Sequence, residues 1–213
     1  MIRWFVSGSL GRAGRVVMAG VVVLMALAQV LPLWTMILRA PQYRNGLWFN
    51  VYAGRLDGEI DIINTLNHYI GMQALDAANF VELQVIPIIL WVGVAIALLA
   101  LITGWRWIVS MLVVAFPIAG LTGLVVLIRM LYDYGHDLEP DAPIRIQPFM
   151  PPVVGIQQLA NFQTITLFSL GSLALLAAFG LLLYSLWKSS PWDPPFAHWF
   201  SRWSSRGRRP ASA

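Results

Sequence analysis

Residues 16–38 read VVMAGVVVLMALAQVLPLWTMIL, a run of 23 residues without a single charged side chain. A helix needs about 20 such residues to cross a hydrocarbon core of about 30 Å. The stretch from Val16 to Leu38 is therefore expected to be a membrane helix. Three further apolar runs follow, from about Val85 to Thr103, from Trp107 to Ile128 and from Ile165 to Trp187. A lone segment in lipid must satisfy its own backbone hydrogen bonds, so all four are expected to be helical. Pro32, Pro87 and Pro117 are candidate bends or boundaries. The expected fold is thus an all-α membrane protein with four transmembrane helices.

Composition points the same way. Of 213 residues, 58% are hydrophobic and 11% charged, against about 25% charged in an ordinary soluble domain. The lipid bilayer is the natural second solvent for that surplus. The spans divide the chain into a short N-terminus (1–15), a membrane domain (16–187) with loops at 39–83 and 130–162, and a basic tail (188–213) rich in Ser, Pro and Trp. Nine basic residues and the single acid Asp193 fall on the side of the two termini, and five basic residues, counting Arg129 at the outer end of the third span, and nine acids fall on the other side. Lys and Arg concentrate on the cytoplasmic side of a membrane, so both ends are expected inside and both loops outside. In a bacterium that is the inner membrane with periplasmic loops. The basic N-terminus with Ala26-Leu27-Ala28 also has features of a cleavable leader, but the apolar run continues beyond it and favours a retained helix. Either way the loops face outward.

Several functions are excluded or disfavoured. There are no cysteines, which removes disulfides, iron–sulfur clusters, thiol catalysis and covalent haem attachment. The basic residues flank hydrophobic spans, which is a membrane pattern and argues against a nucleic-acid partner. No Asp, Glu, Lys, Arg or His lies inside a span; Gln29 is the most polar residue at depth. Intramembrane charge is the usual mark of a proton-coupled pathway, so a small-solute permease is a weak alternative. No P-loop and no Ser/His/Asp spacing is present, and the chain is not expected to be an enzyme. Tryptophans such as Trp34, Trp105, Trp107 and Trp187 read as an interfacial belt. Gly93 with Ala97, and Ala119 with Gly123, are spaced for close helix packing.

The chemistry-bearing residues sit in the loops. Ile60, Ile63, Leu66 or Asn67, and Ile70 recur at helical spacing, predicting an amphipathic helix whose end Gly71 weakens. On that helix Asp61, Asn64, His68 and Met72 would share one face. An imidazole and a thioether four residues apart can reach one metal ion, and that pair suits copper. Asp61 and Asn64 could orient the imidazole. In the second loop, residues 132–143 read YDYGHDLEPDAP, with His136 among acids. Pro148-Phe149-Met150-Pro151-Pro152 is a stiff turn that presents Met150. His68, Met72, His136 and Met150 could together supply a mixed N/S site, with Asp133 and Asp137 as supporting groups. The competing reading makes His68 and His136 ordinary polar residues of an acidic outer cap.

Three segments resemble a family of small bacterial polytopic membrane proteins. Ala40-Pro41-Gln42-Tyr43 with Gly46-Leu47 resembles its APQYPxGL opening. Leu66-Asn67-His68-Tyr69-Ile70-Gly71-Met72 matches its LNHYIGM segment. Tyr132-Asp133-Tyr134-Gly135-His136-Asp137-Leu138 resembles its YDYGHNL segment, and Met150-Pro151-Pro152 with Gly155 its later turn. Arg44 replaces a frequent Pro and Asp137 a frequent Asn. The family is often encoded with accessory proteins for nitrous oxide reductase or other copper enzymes. The resemblance implies a non-catalytic accessory protein that binds or relays copper at the periplasmic face, with a copper enzyme or copper chaperone as partner. The alternative is a metal-free structural subunit of a larger membrane complex.

Overall fold

The computed structural model describes residues 9–159 and 162–188; the predicted basic tail beyond Lys188, with His198, lies outside the described residues. The chain forms α1 (Arg12–Leu27), β1 (Trp34–Ala40), β2 (Tyr43–Val51), β3 (Leu56–Gly58), α2 (Ile60–Ile70), a 3₁₀ turn (Ala77–Asn79), α3 (Val81–Thr103), α4 (Arg106–His136), β4 (Gly155–Leu159), β5 (Phe162–Phe168) and α5 (Leu170–Lys188). The five strands make one antiparallel sheet in the order β3-β2-β1-β5-β4. The expectation of an all-α protein with four transmembrane helices is therefore overturned. Among the described residues this is a mixed α/β protein with five helices.

The error lies in residues 28–38. Helix α1 stops at Leu27, where Val30 N–H and Leu31 N–H both turn back to the Leu27 carbonyl. Pro32 cannot donate to a continuing helix and pushes Leu31 out of the helical region. Beyond it the chain alternates: Trp34, Met36 and Ala40 are buried while Arg39 is exposed. A short apolar run of this kind has the same hydropathy whether it is strand or helix. Trp34, read as an interfacial residue, instead packs in the head core and donates its indole N–H to the Val153 carbonyl at 2.7 Å. The fourth predicted span is likewise split. Residues 165–168 belong to β5, and α5 begins at Leu170. The first loop proves to hold two strands and the predicted amphipathic helix, α2, and the second holds β4 and the last turns of α4.

Helices α1, α3, α4 and α5 form a bundle. Helix α1 packs on α5 and α3, and α4 packs on α3 and α5. Its core repeats at helical spacing: Met18, Val21 and Met25; Val94, Ala97 and Ala100; Ile108, Val109 and Leu112; Ala178, Leu182 and Leu186. Alanine at Ala97, Ala100 and Ala178 lets the helices approach closely. Gly93 does the same, since a Cβ there would stand 2.7 Å from the Met25 terminal methyl. Ala119 and Gly123 are not used this way; both are exposed, and nothing lies within 4 Å of where a Gly123 Cβ would be.

Among the described residues three helices are long and apolar enough to cross a membrane: α3, α4 and α5, with 23, 31 and 19 residues and 18-residue stretches of mean hydropathy 2.9, 2.6 and 1.9. Their outward faces remain apolar and uncovered, as at Ile88, Ile118 and Leu176, which are 62%, 59% and 66% exposed. Helix α1 has 16 residues, about 24 Å at 1.5 Å per residue, and is shorter than a full span.

The two ends of the bundle differ. At one end Leu10 N–H donates to the Gly104 carbonyl, the Ser185 hydroxyl donates to the Gly14 carbonyl, and the Arg15 guanidinium lies over Gly104. Arg12, Arg15, Arg106 and Lys188 gather there. At the other end sits a head made of the sheet, α2 and the tip of α4, around Trp34, Met36, Leu47, Phe49, Ile63, Leu75 and Leu131.

Leu182 is fully buried, whereas Leu176 on the same helix faces outward. Leu182→Ala is expected to cost about 2–5 kcal/mol, and Leu176→Ala to lie within about 0.5 kcal/mol of wild type. Thermal unfolding of the two variants in detergent checks this.

Candidate functional site

Helix α2 ends on Gly71, which takes the left-handed conformation at φ 75° and donates to the Asn67 carbonyl. Glycine enters that conformation without the Cβ penalty. Space also demands it: a Cβ at Gly71 would stand 2.8 Å from the Ala142 Cβ and 2.9 Å from the Glu139 carbonyl oxygen. This close approach brings the second loop onto the first. Glu139 N–H donates to the Gly71 carbonyl at 2.8 Å and Ile144 N–H to the Tyr69 carbonyl at 2.9 Å. The buried Asn67 amide donates to the Tyr134 hydroxyl and reaches the Gln73 carbonyl at 3.4 Å. The Gln73 amide donates to the Asp137 carboxylate at 2.6 Å. The segments 66–72 and 132–144 are thus joined along their length.

The predicted helix face of Asp61, Asn64, His68 and Met72 does not form as one unit. Met72 lies beyond the helix end and is buried at 9% exposure. Asn64 is spent on folding: its amide donates to the Leu75 carbonyl at 3.3 Å, and its side-chain oxygen accepts from Leu75 N–H at 2.6 Å. Asp61 is exposed in the first turn of α2. His68 is exposed beside Tyr69, with ring centroids 6.3 Å apart. Met150 is half-buried in the turn that returns towards β4.

His136 ends α4 and is exposed. Its ring stacks on Tyr132 with centroids 3.8 Å apart and planes at 17°, and Nδ1 lies 2.9 Å from the Tyr132 carbonyl oxygen. It borders a pocket of about 580 Å³ between the start of α3 and the end of α4, together with Gln73, Asn79, Phe80, Glu82, Met130, Asp133, Tyr134 and Asp137. Of the residues predicted from the sequence, His136, Asp133 and Asp137 meet in this pocket; His68, Met72, Met150, Asp61 and Asn64 are not among its walls. Three carboxylates, one imidazole and one thioether therefore share one cavity. Among the described residues no group of three or more His, Asp or Glu is arranged to hold a metal ion.

Sequence reasoning missed Glu82 and Met130. Met130, Asp133, Tyr134 and Asp137 fall at offsets 0, 3, 4 and 7, which is one face of a helix. The signal was present but lay beyond the point, Ile128, where the apolar run stops. With 31 residues, α4 exceeds the about 20 that a bilayer requires, so its polar last turns still follow helical periodicity.

Comparison with family models, curated proteins and solved structures gives no match.

The Asn67–Tyr134 contact generates a stability prediction. Asn67→Ala leaves the Tyr134 hydroxyl without this partner in the head and is expected to cost about 1–3 kcal/mol. Asn67→Ala combined with Tyr134→Phe should recover part of that loss. Detergent melting curves of the single and double variants measure the coupling.

Proposed function

We propose that this protein is a non-catalytic, multi-pass accessory protein of the bacterial inner membrane that binds copper transiently at its periplasmic head and passes it to a periplasmic copper enzyme. The resemblance of residues 66–72 and 132–138 to proteins encoded beside nitrous oxide reductase accessory factors suggests that enzyme class as the recipient. The observation that carries the reading is the meeting of His136, Met130 and three carboxylates in one pocket at the end of the bundle.

The donor set fits the metal. Imidazole suits copper in either oxidation state, and a thioether favours Cu(I). Met130 takes the role that helical spacing gave to Met72 and the proline-rich turn gave to Met150. Asp133, Asp137 and Glu82 supply negative charge that draws a cation to the site. A relay must also release its cargo, so a site of few ligands serves it better than a closed cage of four. The exposed His68, on the segment joined to α4, is a candidate contact for the donor or the recipient.

A metal-free structural subunit is the second reading. It is favoured by the work that Asn67, Gly71 and Tyr134 already do in folding the head, which accounts for much of both motifs without a ligand.

Copper titration of the purified protein in detergent separates the two. His136→Ala is expected to weaken binding at least about tenfold, and Met130→Leu to weaken Cu(I) binding more than Cu(II) binding. His68→Ala is expected to leave the affinity of the isolated protein unchanged. Equal affinity of wild type and His136→Ala would overturn the copper reading, and co-purification with a larger complex without metal would favour the structural one.

A further inference from the structure

We propose that Tyr132 is a positioning residue for His136, fixing the imidazole as its Nδ1–H tautomer and leaving Nε2 as the nitrogen with a free lone pair. The inference rests on the reading of the pocket as a copper site for its functional meaning, but its structural content stands on the hydrogen bond and the ring stacking alone.

A main-chain carbonyl oxygen can only accept a hydrogen bond. With His136 Nδ1 2.9 Å from the Tyr132 carbonyl oxygen, the neutral ring makes that bond only if Nδ1 carries the proton. The tautomer of a histidine is set by the hydrogen bond its other nitrogen makes. A carbonyl one helical turn back therefore assigns the proton, and Nε2, across the ring, becomes the nitrogen able to bind a cation.

The hydrogen bond alone would not hold an exposed side chain. His136 lies on the last turn of α4, where water competes for Nδ1 and the ring is free to rotate about its side-chain bonds. The Tyr132 ring, four residues earlier on the same face, removes that freedom. Its plane lies 17° from the imidazole plane at a centroid distance of 3.8 Å, so the imidazole cannot swing without losing the whole stacked contact. One residue thus supplies both constraints: the carbonyl selects the tautomer and the phenol ring selects the rotamer. Metal-binding histidines are commonly held by such an outer hydrogen bond, and its loss typically weakens binding by about 10–100-fold.

The two parts can be separated. Tyr132→Phe keeps the stacked ring and the carbonyl, whereas Tyr132→Ala keeps the carbonyl and loses the ring. Nitrogen NMR of metal-free protein, labelled at the histidine rings and held at a pH where they are neutral, reads the tautomer directly. His136→Ala assigns the resonance. The expected result is a predominantly Nδ1–H ring in wild type and in Tyr132→Phe, with a shift towards the Nε2–H form in Tyr132→Ala. Copper affinity should follow the tautomer, unchanged in Tyr132→Phe and about tenfold weaker in Tyr132→Ala. A predominantly Nε2–H ring in wild type, or a Tyr132→Ala spectrum identical to wild type, would overturn the proposal. Because the NMR readout needs no metal, failure of the copper titration would count against the pocket's assigned cargo, and failure of the NMR pattern against Tyr132.

Discussion

The turn at Leu31–Leu33 joins the two halves of this protein. Its carbonyls face the start of α5: Pro32 accepts from Gly171 N–H at 2.8 Å, and Leu33 accepts from Ser169 N–H at 3.0 Å and from the Ser172 hydroxyl at 2.7 Å. The first turn of a helix has N–H groups with no partner inside the helix, and here the turn after α1 receives them. Gly171 permits the approach, since a Cβ there would stand 2.8 Å from both the Leu31 and Pro32 carbonyl oxygens. The same turn sends the chain into β1, the central strand, which pairs with β2 on one side and β5 on the other. Bundle and sheet are therefore fixed to each other through a few main-chain groups.

On that frame the head is assembled by polar residues placed where they can be satisfied. Asn64 holds the chain that follows α2 by its main chain, Asn67 reaches Tyr134, and Gln73 reaches Asp137. Asn67 is buried and Asn64 partly so; buried polar groups are costly unless paired, so these two side chains do structural work that their motif alone does not reveal. What the fold leaves exposed is then the more informative set. His68 and His136 both sit at the surface of segments whose neighbours are occupied in folding, and His136 alone borders the acidic pocket. A candidate site emerges by subtracting the residues that the fold consumes.

Much of this was legible in the residues themselves. Hydropathy located α3, and the core of α4, to within a few residues. Helical spacing found α2, and the glycine after it marked its end. The convergence of the two loops was inferable because both had to share one end of a small bundle. Illegible was the fate of residues 28–38. Apolar side chains facing a sheet core look like apolar side chains facing lipid, and β1 pairs with β5 across some 130 residues of chain. Met130 rather than Met72 lines the pocket for a related reason: helix α2 stops at Ile70 while α4 runs on to His136, and spacing arguments hold only as far as the helix does.

The sequence by itself determined that the chain has apolar runs long enough for a bilayer and that His68 and His136 lie outside those runs, because hydropathy and charge are local properties of consecutive residues. Only the tertiary structure decided that a five-stranded sheet stands at one end of the bundle, that Asn67 and Tyr134 are partners, and that Glu82 shares a pocket with the end of α4. Those are pairings between distant segments. They depend on backbone hydrogen bonds and close contacts that carry almost no signature in the residues on either side.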